Sequence, residues 1–297
     1  MTARTEGMAF LRENHFKPAG RTTELLRRMR RNLLLLVGLV LVVCFVAVAL
    51  LGPALVPYSP YQQDITQARQ GPSSAHWFGT DELGRDMFSR VIAGARITLK
   101  ISVATLLIAC VAGLGAGLVA GYFGGAADTI LMRLIDVQLA IPSLVLAIVI
   151  ITVLGSGLNA LIFVMSIFAY PSFARLTRGV TLSVREEVFV QAAIATGVGS
   201  RRLIGRHLLP QVIPHVLALA TVTLGRVVLS ASSLGFLGFG IEPGTPEWGM
   251  MVAQGRSLFR THPHVILFPS TAILLVVLGF NLLGDGLRDL LDPRLRN

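Results

Sequence analysis

Six apolar runs dictate what this chain can become. The first is unbroken from Leu33 to Leu51, and others occupy about 97–123, 134–154, 158–174, 213–234 and 265–283. A helix that crosses a bilayer takes about 20 mostly apolar residues. Without water, every backbone N–H and C=O must be satisfied within the segment, which a helix does by itself. The reading is therefore an all-α polytopic membrane protein with six transmembrane helices. Charged residues make up 14% of the chain and hydrophobic ones 53%, whereas a soluble domain is about one quarter charged. The net charge of +10 fits Lys and Arg held in cytoplasmic loops, and no nucleic-acid-binding pattern accompanies it. Cys44 and Cys110 lie inside apolar runs, far apart and without Cys or His neighbours. They read as packing residues, neither a disulfide nor a metal site.

The flanks set the orientation. Residues 1–32 are a polar tail ending in Arg27, Arg28, Arg30 and Arg31. The run that follows is too long for a signal-peptide core, and Pro53 and Pro57 stand where a cleavage site would be. It is expected to be a signal anchor with the N-terminus in the cytoplasm. The chain then divides into a cytoplasmic tail (1–32), a first transmembrane helix (33–51), an external loop (52–96), a five-helix transmembrane domain (97–288) and a cytoplasmic C-terminal tail (289–297). Segments 124–133 and 175–212 join the two tails on the cytoplasmic side, and most Lys and Arg fall there. Arg69, Arg85, Arg90, Arg96 and Lys100, at the first external loop and the start of span two, run against that trend.

Gly113, Gly117 and Gly121 recur every four residues in the second run. They put small residues on one helix face, where another helix can approach closely. Pro142 and Pro171 are expected to kink spans three and four. Arg226 lies well inside span five; a charge at membrane depth is costly and faces a cavity or a partner, so it is the candidate substrate-pathway residue, the alternatives being snorkelling or a structural ion pair at the subunit interface. His262 and His264, flanking Pro263, read as a solvated turn.

The one long polar interval of the second half runs from Arg175 to Pro214, with a loop at 184–210. It reads as two short helices with a break at Gly197 and Gly199, where glycine accepts positive φ without steric cost. Ser200 is the expected N-cap of the second helix. Gln191, Ala192, Ala193, Gly197, His207, Leu209 and Pro210 stand at fixed gaps in this loop. Those residues resemble the EAA loop of binding-protein-dependent ABC importer permeases, with Gln191 in place of the usual Glu. Three further segments match the dipeptide/oligopeptide/nickel branch in the same order. Phe78-Gly79-Thr80-Asp81-Glu82-Leu83-Gly84-Arg85-Asp86 resembles its "FGTDxxGRD" segment, whose acids and arginine are expected to tie the loop together by ion pairs. Residues 235–249 resemble its "SFLGLG…PPTPxWG" segment, with Gly235 for the usual Ser and Gly244 for the second Pro. Residues 281–294 resemble its "NLLGDxLRDxLDPR" tail.

The resemblance implies a type I ABC importer (MetI-like) transmembrane domain and the second of two permease subunits. It implies a bacterial inner-membrane location, with both termini cytoplasmic. Its implied partners are a second homologous permease, two ABC ATPase subunits, an external substrate-binding protein and membrane lipid. The loop would be the coupling helix to the ATPase, with Gln191, Ala192, Ala193, Gly197, Ser200, Arg201, Arg202, His207 and Pro210 as its contact residues. The chain has no phosphate-binding Gly-x-x-x-x-Gly-Lys-Ser/Thr loop and no nucleophile or zinc pattern. It is expected to be no enzyme and to hold no cofactor, ATP-Mg being bound by the partner ATPases. Peptide is the first expected substrate and nickel or a metal chelate the next. A secondary transporter or channel is the alternative of another class, and a membrane-embedded enzyme is a weaker one.

Overall fold

The structure is a computed structural model that describes residues 32–242 and 244–291. The expected N-terminal arginine cluster and most of the C-terminal tail lie outside those residues. Among the described residues all regular structure is helical, with one isolated bridge between Thr80 and Asp86. Five helices are long and apolar enough to span a membrane, or six when one bent pair counts as a span.

Helix α1 (Leu33–Leu55) begins at Asn32, whose side chain accepts the Leu35 N–H at 3.1 Å. This satisfies one of the donors that a helix start leaves open. Helix α1 packs on the last helix, where a side chain at Gly38 or Gly279 would run into Leu282 or Leu41.

Helix α2 (Met87–Phe123) starts ahead of the hydropathic boundary at Ile97. Residues 87–96 belong to the helix and not to the loop before it. Asp86 caps it, accepting the Ser89 N–H at 2.7 Å. Arg90 is buried against Pro60 and Gly244, so its charge lowers the local hydropathy without ending the helix.

Helices α3 (Gly125–Ala140) and α4 (Ser143–Leu154) meet at 93°. Two expectations change here. Residues 125–133 are helical, so the connection to α2 narrows to Gly124, and both Gly124 and Gly125 have positive φ. Pro142 breaks the third span instead of kinking it. Ile141 is extended (φ −91°, ψ 130°), the conformation a residue before proline prefers.

Helix α5 (Leu158–Arg185) runs through Pro171 and past Ala174, the expected end of span four. Its arginines do not stop it because α3 answers them across the gap. Arg178 pairs with Asp128 at 2.6 Å and Arg175 with Asp136 at 2.7 Å. Asp128 and Asp136 thus pair between helices, not locally with Arg133.

After α5 come α6 (Val188–Ala195), a single turn α7 (Ser200–Leu203), a π-helical turn (Ile204–Leu208) and α8 (Leu209–Phe236). Helix α9 (Trp248–Gln254) and α10 (His264–Leu291) complete the chain.

The α2–α5 contact is the most extensive between helices among the described residues. Side chains at Gly113, Gly117 and Gly121 would strike Phe173, the Ala174 carbonyl and Thr181 of α5. Without lipid-driven apolar attraction between helices, such close backbone approach supplies the packing. The buried apolar residues form three clusters along the bundle. One surrounds Phe45, Trp248 and Phe280 at the end carrying the α2 N-terminus, called here the cap end. A middle cluster holds Leu161, Val164 and Leu234. The third, with Phe173, Val190, Leu203 and Leu208, lies at the opposite or loop end.

Candidate functional site

At the loop end, α6 stands between two long helices. Gly197 ends it in a left-handed conformation (φ 80°). Val190 is fully buried beneath α6, and Leu203 and Leu208 fix the segment that follows. The residues on the outer side are apolar and exposed: Val188 at 83%, Phe189 at 46% and Ile194 at 41%. Arg201, Arg202 and Arg206 are exposed beside them. This apolar strip, flanked by the exposed acids Glu186 and Glu187 as well as by cations, has the mixed make-up of a candidate docking surface.

The predicted loop residues take distinct places. Gln191 donates its side-chain N–H to the Arg185 carbonyl at 2.9 Å, satisfying an acceptor at the end of α5. Ala192 is exposed and Ala193 half-buried, and His207 faces Phe189 with ring centroids 6.4 Å apart. The Ser200 expectation is corrected: Gly199 is the N-cap (φ −64°, ψ 150°), and Ser200 is the first helical residue. The hydroxyl of Ser200 instead accepts from Tyr122 at 3.0 Å. Pro210 lies in the first turn of α8. Because Pro210 has no N–H, the chain is spared one helical bond, and the π turn just before it absorbs the misfit.

Tyr122 is the residue that sequence reasoning missed. Its backbone carbonyl accepts from Arg185 Nη1 at 2.8 Å, and the same guanidinium lies 6.0 Å from its ring centroid. Tyr122 therefore joins the ends of α2, α5 and α7. An aromatic with a polar tip at the end of a span was the available signal.

Between α4, α5 and α8 lies a cavity of about 490 Å³. Arg226 lines it. Helical spacing explains why: Thr223, Arg226, Ser230 and Ser233 lie three or four residues apart and share one face of α8. The opposite face turns Gly225 toward Phe280 and Asn281 of α10. Ser172 of α5 and Gln138 of α3 line the same space.

The cap end is a polar lattice. Asp81 accepts from the N–H groups of Leu83 and Arg85 and pairs with Arg85 Nε at 2.7 Å. His76 and Asp86 meet at 2.9 Å. Glu82 accepts from Ser257 at 2.8 Å, which fixes this loop to the one before α10. Gly84 (φ 70°) has no room for a side chain against the Asp64 carbonyl. Thr66 and Gln67 hydrogen-bond Asp64 and hold its carboxyl below the usual range. His264 is buried, its Nε2 3.4 Å from the Thr80 carbonyl, while His262 is partly exposed. Trp248 donates to the Val91 carbonyl at 2.9 Å. Glu247 caps α9 by accepting from Gly249 and Met250 at 2.8 and 2.7 Å. Burial pushes its carboxyl up to about 7, against those two hydrogen bonds.

Comparison with known proteins places this geometry. The family of binding-protein-dependent transport system inner membrane components matches residues 113–297. The N-terminal transmembrane domain of oligopeptide transport permease C matches residues 21–72. The dipeptide transport system permease protein DppC of Alkalihalophilus pseudofirmus is 39% identical, over 96% of this chain and 94% of its own length. The glutathione transport system permease protein GsiD of Pectobacterium atrosepticum is 41% identical, over 91% of this chain and 90% of its own. Among solved structures, the MetNI methionine ABC transporter in inward-facing conformations matches with a TM-score of 0.54 at 21% identity. That match covers 69% of this chain and 98% of the other, and it supports the fold alone.

Proposed function

Because this chain belongs to the family of binding-protein-dependent transport system inner membrane components, we propose that it is one of two permease subunits of an ATP-driven peptide importer in a bacterial inner membrane. The observation that carries this reading is the exposed apolar strip of α6, with Val188, Phe189 and Ile194 outermost, borne on a segment wedged between α5 and α8. It is a surface built to be covered. A cytoplasmic ABC ATPase subunit covers it, ATP-Mg sits in that partner, and this chain performs no covalent chemistry. A second permease completes the pathway, and an external substrate-binding protein delivers cargo to the cap end. The loop end and both termini are then cytoplasmic.

Peptide is the cargo supported by the relatives, whose names specify dipeptide and glutathione transport. The contacts support the following mechanism. Closure of the ATPases moves α6, and the Tyr122–Arg185–Ser200 junction passes that movement to α2, α5 and α8 together. The cavity between α4, α5 and α8 then changes the side it faces.

The test is to purify this chain from gently solubilised membranes and identify what accompanies it by mass spectrometry. Two ATPases and a second permease are expected. A chain recovered alone or self-paired, in a detergent that preserves such complexes, would reject the importer and favour a secondary transporter.

A further inference from the structure

The cavity between α4, α5 and α8 has one charge, and that charge is positive. Arg226 has no acidic partner among the described residues, and no Asp, Glu, His or Cys lines the space with it. Around it stand neutral polar side chains: Gln138, Ser172, Thr223, Ser230 and Ser233. Thr223 and Ser233 donate to carbonyls of their own helix and keep acceptor capacity. The hydroxyls of Ser172 and Ser230 are not committed to such bonds among the described residues and remain as donors. A volume of about 490 Å³ falls within the range of about 300–1,000 Å³ common for small-molecule sites.

We propose, resting on the peptide-importer reading, that Arg226 is the carboxylate-receiving residue of the translocation cavity, so that the cargo passing it is a carboxylate-bearing peptide and not a bare metal cation. A guanidinium presents a planar fork that matches a carboxylate with two parallel hydrogen bonds, and Arg226 is exposed to the cavity. The two donor hydroxyls, one on α5 and one a turn beyond Arg226 on α8, complete the recognition of a group that carries only acceptors. The same lining repels a divalent cation. A transition-metal ion such as Ni²⁺ is held best by imidazole, thiolate or carboxylate ligands, and none lines the cavity. Among all described residues, no group of three or more His, Cys, Asp or Glu is placed to hold a metal. A charge held at membrane depth without an acid beside it is costly. It is retained here because cargo supplies the counter-charge in passing, and neutral hydroxyls allow the cargo to leave again.

The experiment uses the complete importer in proteoliposomes, with its own binding protein. ATP-driven uptake is measured for a dipeptide and a tripeptide, for their C-terminal amides and for Ni²⁺. The binding protein also reads the cargo, so the decisive quantity is the acid-to-amide ratio compared between variants that share it. Arg226→Gln is expected to reduce free-acid uptake about 10- to 100-fold, the worth of one charge-assisted contact, and to bring the ratio near one. Arg226→Lys is expected to restore part of it. An unchanged ratio in Arg226→Gln, or Ni²⁺ carried by the wild type as fast as peptide, overturns the assignment. So does loss of the assembled complex in both variants, which would make Arg226 an ion-pair partner of the second permease. A wild-type importer that carries neither peptide nor amide instead defeats the peptide reading itself.

Discussion

The carboxylate of Glu247 occupies the space that a side chain on Gly235 would fill. The two residues sit where the end of α8 meets the start of α9, and Glu247 is 2% exposed. The glycine makes room for the acid, and the acid holds α9 by accepting from the N–H groups of Gly249 and Met250.

That burial gives the protein a pH-dependent stability. The carboxyl titrates near 4.5 when unfolded and at about 7 when folded, so the folded state binds the proton more tightly. The contribution is fully present below the unfolded value and is lost as pH rises through about 7. It amounts to about 3 kcal/mol at most. The melting temperature of the purified protein should fall between pH 5 and pH 8. Glu247→Gln, which cannot ionise, should flatten that slope; a slope that survives the substitution refutes the assignment.

The glycine face of α2 is asymmetric in a testable way. Gly117 abuts the Ala174 carbonyl and Thr177, whereas Gly115 has nothing within 4 Å. Gly117→Leu should lower stability by about 1–3 kcal/mol or more by forcing α2 from α5, and Gly115→Leu should leave it unchanged. Thermal melts of the two variants in the same detergent decide the matter. Equal behaviour would mean that the contact is not close.

The α6 strip should separate docking from folding. Val188 is 83% exposed, so Val188→Asp should leave membrane level and melting temperature within error, since exposed changes away from buried features alter stability by about 0.5 kcal/mol or less. Co-purification of the ATPase should drop sharply. Intact co-purification would mean that another surface carries the contact.

Gly197 should control coupling. Its φ of 80° is closed to proline, whose ring holds φ near −65°. Gly197→Pro should preserve insertion while breaking the link between ATP hydrolysis and uptake, read as hydrolysis without transport. Unchanged transport would remove Gly197 from the coupling role.

The helices were legible because lipid imposes its polarity on whatever it touches: Leu33 to Leu51 can hardly be anything else. The loop was legible because its break needs glycine and its re-entry tolerates proline. What escaped was set by residues distant in sequence. Arg175 and Arg178 lower hydropathy as though α5 ended there, yet Asp136 and Asp128 of α3 neutralise them. Arg90 does the same for the start of α2. The right angle at Pro142 needed the extended Ile141, and the role of Tyr122 needed Arg185 and Ser200 beside it. Neither the capping by Glu247 nor its burial against Gly235 was legible in the sequence.

The run from Ser200 to Phe236 is 37 residues of nearly continuous helix. At about 1.5 Å per residue it behaves as a single beam, and about 40 Å of it separate Ser200 from Arg226. A beam does not dissipate a push along its length; it delivers it. The π turn at Ile204–Leu208 and Pro214 inside α8 are where it can bend, and both lie in its first half. Bending is therefore taken up toward the Ser200 end, and the portion beyond Pro214 moves as a rigid arm. On the importer reading, the stiffness of that arm carries to the cavity the movement that the Tyr122–Arg185–Ser200 junction receives.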